Sequence, residues 1–170
     1  MIAHRIESRY ALALTLCALM SGTASAQVPG AIAAPGEVAV ATFHAEGAQI
    51  YDCKADAGGK LTWQFREPIA TLLLDGKTVG RHYAGPNWDY FDGSGVKGKV
   101  AASAPGATPN DISWLKLDVV DRRGDGILSS ATTVQRINTR GGVVQGSCEN
   151  EGDYRSVPYS ADYVFLRKRD

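Results

Sequence analysis

The sequence predicts an all-β single domain, an antiparallel sandwich or a flattened barrel. Three observations lead there. Short runs rich in β-branched and aromatic residues alternate between apolar and polar positions. Turn signals built from Gly, Asp and Asn punctuate those runs at close spacing. No stretch carries the longer apolar period of an amphipathic helix. The best candidate, Glu67 to Leu74 with Pro68 in its first turn, is short and runs straight into a hairpin signal.

In chain order, residues 1–26 read as a secretory signal peptide. Arg5 and Arg9 precede an apolar run, Ala11 to Met20, and small residues follow up to Ala24-Ser25-Ala26. The apolar centre is about ten residues long, roughly half of what a helix needs to cross a bilayer, so no transmembrane segment is expected. Lipidation at Cys17 is opposed by bulky Leu16 and by apolar residues continuing past it. Cleavage near Ala26 leaves a secreted or periplasmic chain starting at Gln27.

Residues 27–36 are rich in Pro, Gly and Ala and predict a flexible lead-in. The β domain then occupies 37–170. Val38 to Phe43 and Ala48 to Cys53 read as strands flanking a turn at Glu46-Gly47. In Lys60 to Arg66, Leu61, Trp63 and Phe65 share one face, which marks a strand half buried on a core. Thr71 to Leu74 and Thr78 to Gly80 flank Asp75-Gly76, a strong hairpin signal. Val96 to Val100, Trp114 to Val120, Thr132 to Thr139 and Tyr159 to Leu166 supply the remaining strands.

Without the signal peptide, Cys53 and Cys148 are the only cysteines. An even pair in an exported chain predicts a disulfide. A metal-binding or redox pair of thiols is less consistent, because no CxxC spacing exists and no histidine neighbours either cysteine. Eighteen basic and eighteen acidic residues balance, and no basic patch lies inside the domain, which argues against nucleic acid as a partner.

Chemistry-bearing side chains concentrate between His82 and Gly95. This run reads as two short strands joined by tight turns. His82 lies close in sequence to Asp89 and Asp92, the only such meeting of an imidazole with carboxylates, and an enzyme can use that pairing as base and orienter. Asp92-Gly93 is also a routine turn pair, and a histidine among aromatics serves packing more often than catalysis. Two histidines in the mature chain, His44 and His82, with no His-x-His spacing, predict no metal site. No Gly-x-Ser-x-Gly elbow marks a nucleophile. Asp121 to Gly126 lacks the acids of a calcium loop, and its Arg123-Gly124-Asp125 sits where a hairpin needs a turn. Tyr83, Trp88, Tyr90, Trp114, Tyr159 and Tyr163 offer flat faces with polar tips, suited to a core or to a ligand in a barrel mouth.

Several segments resemble the secreted bacterial and fungal proteins grouped as DUF3455. They include Gly47 to Cys53, Trp63-Gln64-Phe65, Gly80 to Trp88 with its His-Tyr-Ala-Gly-Pro-Asn-Trp core, and Asp92-Gly93-Ser94. Ile112 to Leu115, Gln135 to Gly142 and Val157 to Tyr163 continue the match. The resemblance implies a family without an established activity. Some fungal members carry the label malate dehydrogenase, but this chain has no Gly-x-Gly-x-x-Gly between a strand and a helix to hold a nicotinamide cofactor, and no cofactor is expected. The sequence therefore predicts a non-catalytic envelope or extracellular domain that binds a small molecule, a glycan or a surface partner, or is purely structural. Its candidate binding residues are His82, Trp88, Asp92 and Arg136. The alternative is a hydrolase or isomerase using His82 with a nearby carboxylate such as Asp92. No pattern in the sequence specifies an oligomeric state.

Overall fold

The computed structural model describes residues 27–170, and the expected signal peptide lies outside them. Among the described residues, eight strands follow one another: β1 (Glu37–Ala55), β2 (Leu61–Leu74), β3 (Lys77–Tyr83), β4 (Asn87–Tyr90), β5 (Gly95–Ala104), β6 (Trp114–Arg123), β7 (Thr133–Gly141) and β8 (Tyr154–Lys168). Each pairs antiparallel with the next, and β8 returns to pair with β1. Of the two architectures the sequence left open, the barrel forms, with up-and-down order and no free sheet edge.

The hairpin expected at Asp75-Gly76 joins β2 to β3, with both residues at positive φ (50° and 72°), as a tight primed turn requires. The turn expected at Glu46-Gly47 is absent, and one strand spans both Lys60 to Arg66 and Thr71 to Leu74. β1 runs unbroken through Glu46-Gly47, because Gly47 is needed for close approach, not for a turn. A Cβ there would lie 2.7 Å from the Cβ of Ala70 on β2. β2 likewise continues through Pro68, beside a register shift opposite Ile50 and Tyr51 that accommodates the missing N–H.

Inward positions alternate along each strand and are apolar through the packed half of the barrel. Phe43, Leu72, Val96, Leu117, Val134 and Phe165 fill one half of the barrel, and Leu128 from the β6–β7 connection is buried among them. Gly98 gives Trp88 room inside, since a Cβ at 98 would lie 3.0 Å from the indole ring. Outward positions such as Lys97, Lys99 and Asp118 are exposed. Apolar inside and charged outside is the reverse of a lipid-facing barrel.

Part of the lead-in read over 27–36 packs on the barrel. A short 3-10 turn at Gly30–Ile32 inserts Ile32, 0% exposed, against Ala104 and Trp114 on the outer barrel surface. Gln135 donates its side-chain N–H to the Ile32 carbonyl at 2.6 Å. The composition signals irregular backbone correctly, but the apolar residues within it find a surface to cover.

Cys53 and Cys148 form the expected disulfide, with Cα atoms 5.8 Å apart across 95 residues of sequence. It ties the end of β1 to the long β7–β8 connection, which also exchanges backbone bonds with β1 (Cys53 N–H to Asp153 O, Gly152 N–H to Cys53 O). Replacing both cysteines by serine should lower the unfolding free energy in urea by about 2–4 kcal/mol. It should also raise hydrogen exchange across residues 142–153. Unchanged stability would mean that the crosslink adds nothing beyond those backbone bonds.

Candidate functional site

Alternate connections of an up-and-down barrel lie at opposite ends. The β6–β7 connection plugs one end with Leu128. At the other, side chains leave a cavity of about 800 Å³, framed by the β3–β4, β5–β6 and β7–β8 connections through Pro86, Pro109 and Val143. The volume falls within the range of small-molecule sites.

The cavity floor is aromatic. His82 and Trp88, paired across β3 and β4, stack with ring centroids 4.5 Å apart and planes within 9°. Tyr163 from β8 tilts against both, at 4.8 Å and 5.3 Å. Trp88 also meets Phe165 edge-on, so the floor continues into the packed half. Gln49 and Tyr51 of β1, Leu115 of β6 and Arg136 of β7 line the walls, and exposed Phe65 and Val100 stand at the rim.

His82 is 3% exposed and its Nδ1 lies 2.8 Å from the Asn87 carbonyl oxygen. A carbonyl only accepts, so Nδ1 carries the hydrogen and Nε2 is left as an acceptor. Burial, aided by the positive charge of Arg136 and opposed by the Asn87 bond, lowers the imidazole pKa from 6.5 to about 3. The ring is therefore neutral at physiological pH. Burial also raises the pKa of Tyr51, Tyr159 and Tyr163, so all three phenols stay protonated.

Of the residues singled out in sequence, His82, Trp88 and Arg136 meet at the cavity, whereas Asp92 does not. Asp92 sits in the β4–β5 turn at the plugged end. Its carboxylate accepts bonds from the Ser94 N–H (2.8 Å), the Ser94 hydroxyl (2.6 Å) and the Ile127 N–H (2.7 Å). It thus fixes the connection that carries Leu128. Burial pushes its pKa up, but these hydrogen bonds outweigh that effect and lower it. Asp89 is likewise engaged elsewhere, with Arg123 at 2.6 Å and Arg81 at 2.9 Å. Neither carboxylate pairs with His82. Among the described residues, the imidazole that does bond a carboxylate is His44, to Asp162 at 2.8 Å, on the outer surface and 118 residues away in sequence.

The aromatic candidates divide. Tyr163 reaches the cavity; Tyr159 is buried beside it, hydroxyl to hydroxyl at 3.3 Å. Tyr90 stacks on Phe43 in the packed half, Trp114 lies under the lead-in, and Tyr83 lies under the Arg81 guanidinium. Gln49 and Tyr51 carry no local site signal in the sequence, although they continue the inward period of two set by Phe43 and Ala45. Among the described residues, no group of three or more His, Cys, Asp or Glu side chains is placed to hold a metal ion.

The fold and site define an eight-stranded up-and-down barrel with an internal cavity open at one end. Residues 34–167 match the family described as "Protein of unknown function (DUF3455)", and the chain belongs to that family. No curated protein and no solved structure was found to match it.

The buried imidazole carries a measurable signature. Its folded pKa of about 3 lies below the unfolded 6.5, so the unfolded chain takes up the proton first. The stability it contributes is full above pH 6.5 and falls as pH drops toward 3, by up to about 1.4 kcal/mol per pH unit. Urea unfolding between pH 7 and 5 should therefore weaken the wild type more steeply than His82→Gln. Parallel pH profiles would show that His82 is not buried neutral.

Proposed function

We propose that this is an exported, non-catalytic binding protein that holds a small molecule in its barrel cavity. The observation that carries the reading is the asymmetry of the barrel: one end is plugged, and the other opens onto about 800 Å³ above an aromatic floor. Packing alone does not require that space, because interiors are ordinarily filled to crystal-like density. A concave site inside a barrel suits a small molecule better than an extended glycan or a protein surface, which call for exposed flat faces. Export is supported by the leader-like residues 1–26 and by the disulfide. Intact mass of secreted material should correspond to a chain beginning at Gln27.

A hydrolase or isomerase acting through His82 has less support. A base whose conjugate acid has a pKa of about 3 accepts protons poorly near neutrality, and no carboxylate orients it.

The test uses a neutral apolar fluorophore, N-phenyl-1-naphthylamine. Its emission should rise on mixing with the purified protein and saturate near one per chain. Leu115→Trp, which fills the cavity from the β6 wall, should abolish the rise while the ligand-free melting temperature stays within a few degrees. No enhancement with the wild type, or enhancement untouched by L115W, would refute binding in the cavity.

A further inference from the structure

The polar groups around the cavity are unevenly supplied with partners, and the imbalance has a sign. Three charged side chains line it: Arg66, Asp111 and Arg136. Arg66, at the rim, is paired with Glu67 at 3.0 Å and also donates to the Tyr154 hydroxyl at 2.7 Å. Asp111 has both carboxylate oxygens occupied. Oδ2 accepts from the Thr108 N–H (3.0 Å) and hydroxyl (2.7 Å), and Oδ1 accepts from the Gly141 N–H (2.6 Å). Arg136 forms no ion pair with any described residue. Its Nε and Nη2 donate to one carbonyl oxygen, that of Ser113, at 3.1 and 2.8 Å. The guanidinium also lies close to the Tyr163 hydroxyl on the cavity floor, and its positive charge bears on Tyr51, His82 and Tyr159 as well.

Two further lining residues hold unpartnered hydrogen-bond donors. The Gln49 side-chain N–H2 and the Trp88 indole N–H are buried with no acceptor among the described residues, and both residues are at least nine-tenths buried. Gln49 Nε2 lies near the Tyr159 hydroxyl, close enough to act on its pKa, but outside hydrogen-bond geometry. Buried donors without acceptors are costly, and the Arg136 guanidinium carries a charge with no counter-charge beside it among the described residues. His82 Nε2 is an acceptor without a donor among the described residues. The other unmet groups are donors and one positive charge, and together they call for an acceptor carrying one negative charge.

We infer that the ligand is a monoanion with an apolar body, a carboxylate being the simplest case, whose charged head is held by Arg136 and Gln49 and whose body lies over the aromatic floor. The inference rests on the cavity being a binding site, and it names the class of molecule bound there. A guanidinium suits a carboxylate through paired N–H donors. Phe65, Val100 and Leu115 offer the apolar body a path to the rim. A competing role for Arg136 is to pin the β5–β6 connection through Ser113, and that role needs a hydrogen-bond donor but no charge.

The experiment compares 1-naphthaleneacetate with its uncharged isostere 1-naphthaleneacetamide, by calorimetry on the mature protein near neutral pH. The carboxylate should bind about tenfold tighter or better, the scale expected of charge-assisted hydrogen bonds. Arg136→Gln, which keeps a donor for Ser113, should bring the two ligands within about twofold of each other. Arg136→Lys, which keeps the charge but not the paired donors, should restore part of the preference. Gln49→Leu leaves the Ser113 contact alone and should reduce the preference severalfold, so the test survives even if R136Q fails to fold. Equal binding of the two ligands by the wild type overturns the anion assignment while leaving the cavity a binding site. A preference unaffected by R136Q and Q49L also overturns it. Binding of neither ligand, with no response to the neutral fluorophore, defeats both readings.

Discussion

Pairing of β1 with β8 is the constraint on which the rest of the molecule depends. β1 pairs with β8 from Glu37↔Lys168 to Asp52↔Tyr154, and with β2 from His44 onward. That double pairing turns a run of hairpins into a closed surface with an inside. Every inward side chain acquires a fixed neighbour only because the first and last strands meet. The site follows directly: His82, Trp88, Arg136 and Tyr163 come from four strands, and closure sets them around a common space. Contacts this distant in sequence make such folds slow to assemble, and the Cys53–Cys148 crosslink joins the same two distant parts of the chain.

Much of this architecture is legible in the residues because strand alternation and turn chemistry are local. Leu61, Trp63 and Phe65 declare a strand, Asp75-Gly76 declares a hairpin, and Cys53 with Cys148, the two cysteines beyond residue 26, declare a bond. Closure into a barrel is not local. No residue of β1 or β8 taken alone tells whether the sheet ends meet or stack as two layers. Gly47 misleads for a related reason: glycine serves turns and close backbone approach alike, and only Ala70 opposite it decides which. Pro68 misleads because a register shift supplies a place for it that sequence does not show.

The site is legible in part for the same cause. His82 and Trp88 stand out because they lie together in one dense run, and they remain together across a single hairpin. Asp92 lies in that run too, yet one more turn carries it to the other end of the barrel, where it holds the β6–β7 connection in place. Sequence nearness is a poor guide where each strand crosses the whole molecule. Arg136 and Gln49 show the converse, lining one cavity from strands distant in sequence with little local signal. The partner of His44 is equally hidden, since Asp162 faces it only through β1–β8 pairing.

The two ends of the barrel are held by different forces. The plugged half rests on buried rings and aliphatic chains, with Leu128 sealed in by Asp92 and Ser94. The open half is framed by connections stitched to one another with hydrogen bonds: Asp111 to Gly141, Val143 to Asn110, Thr139 to Ile112. Rim residues such as Val100 and Phe65 contribute little to that packed core. Side chains at the mouth can therefore change with small cost to folding, while the plugged half keeps the barrel closed.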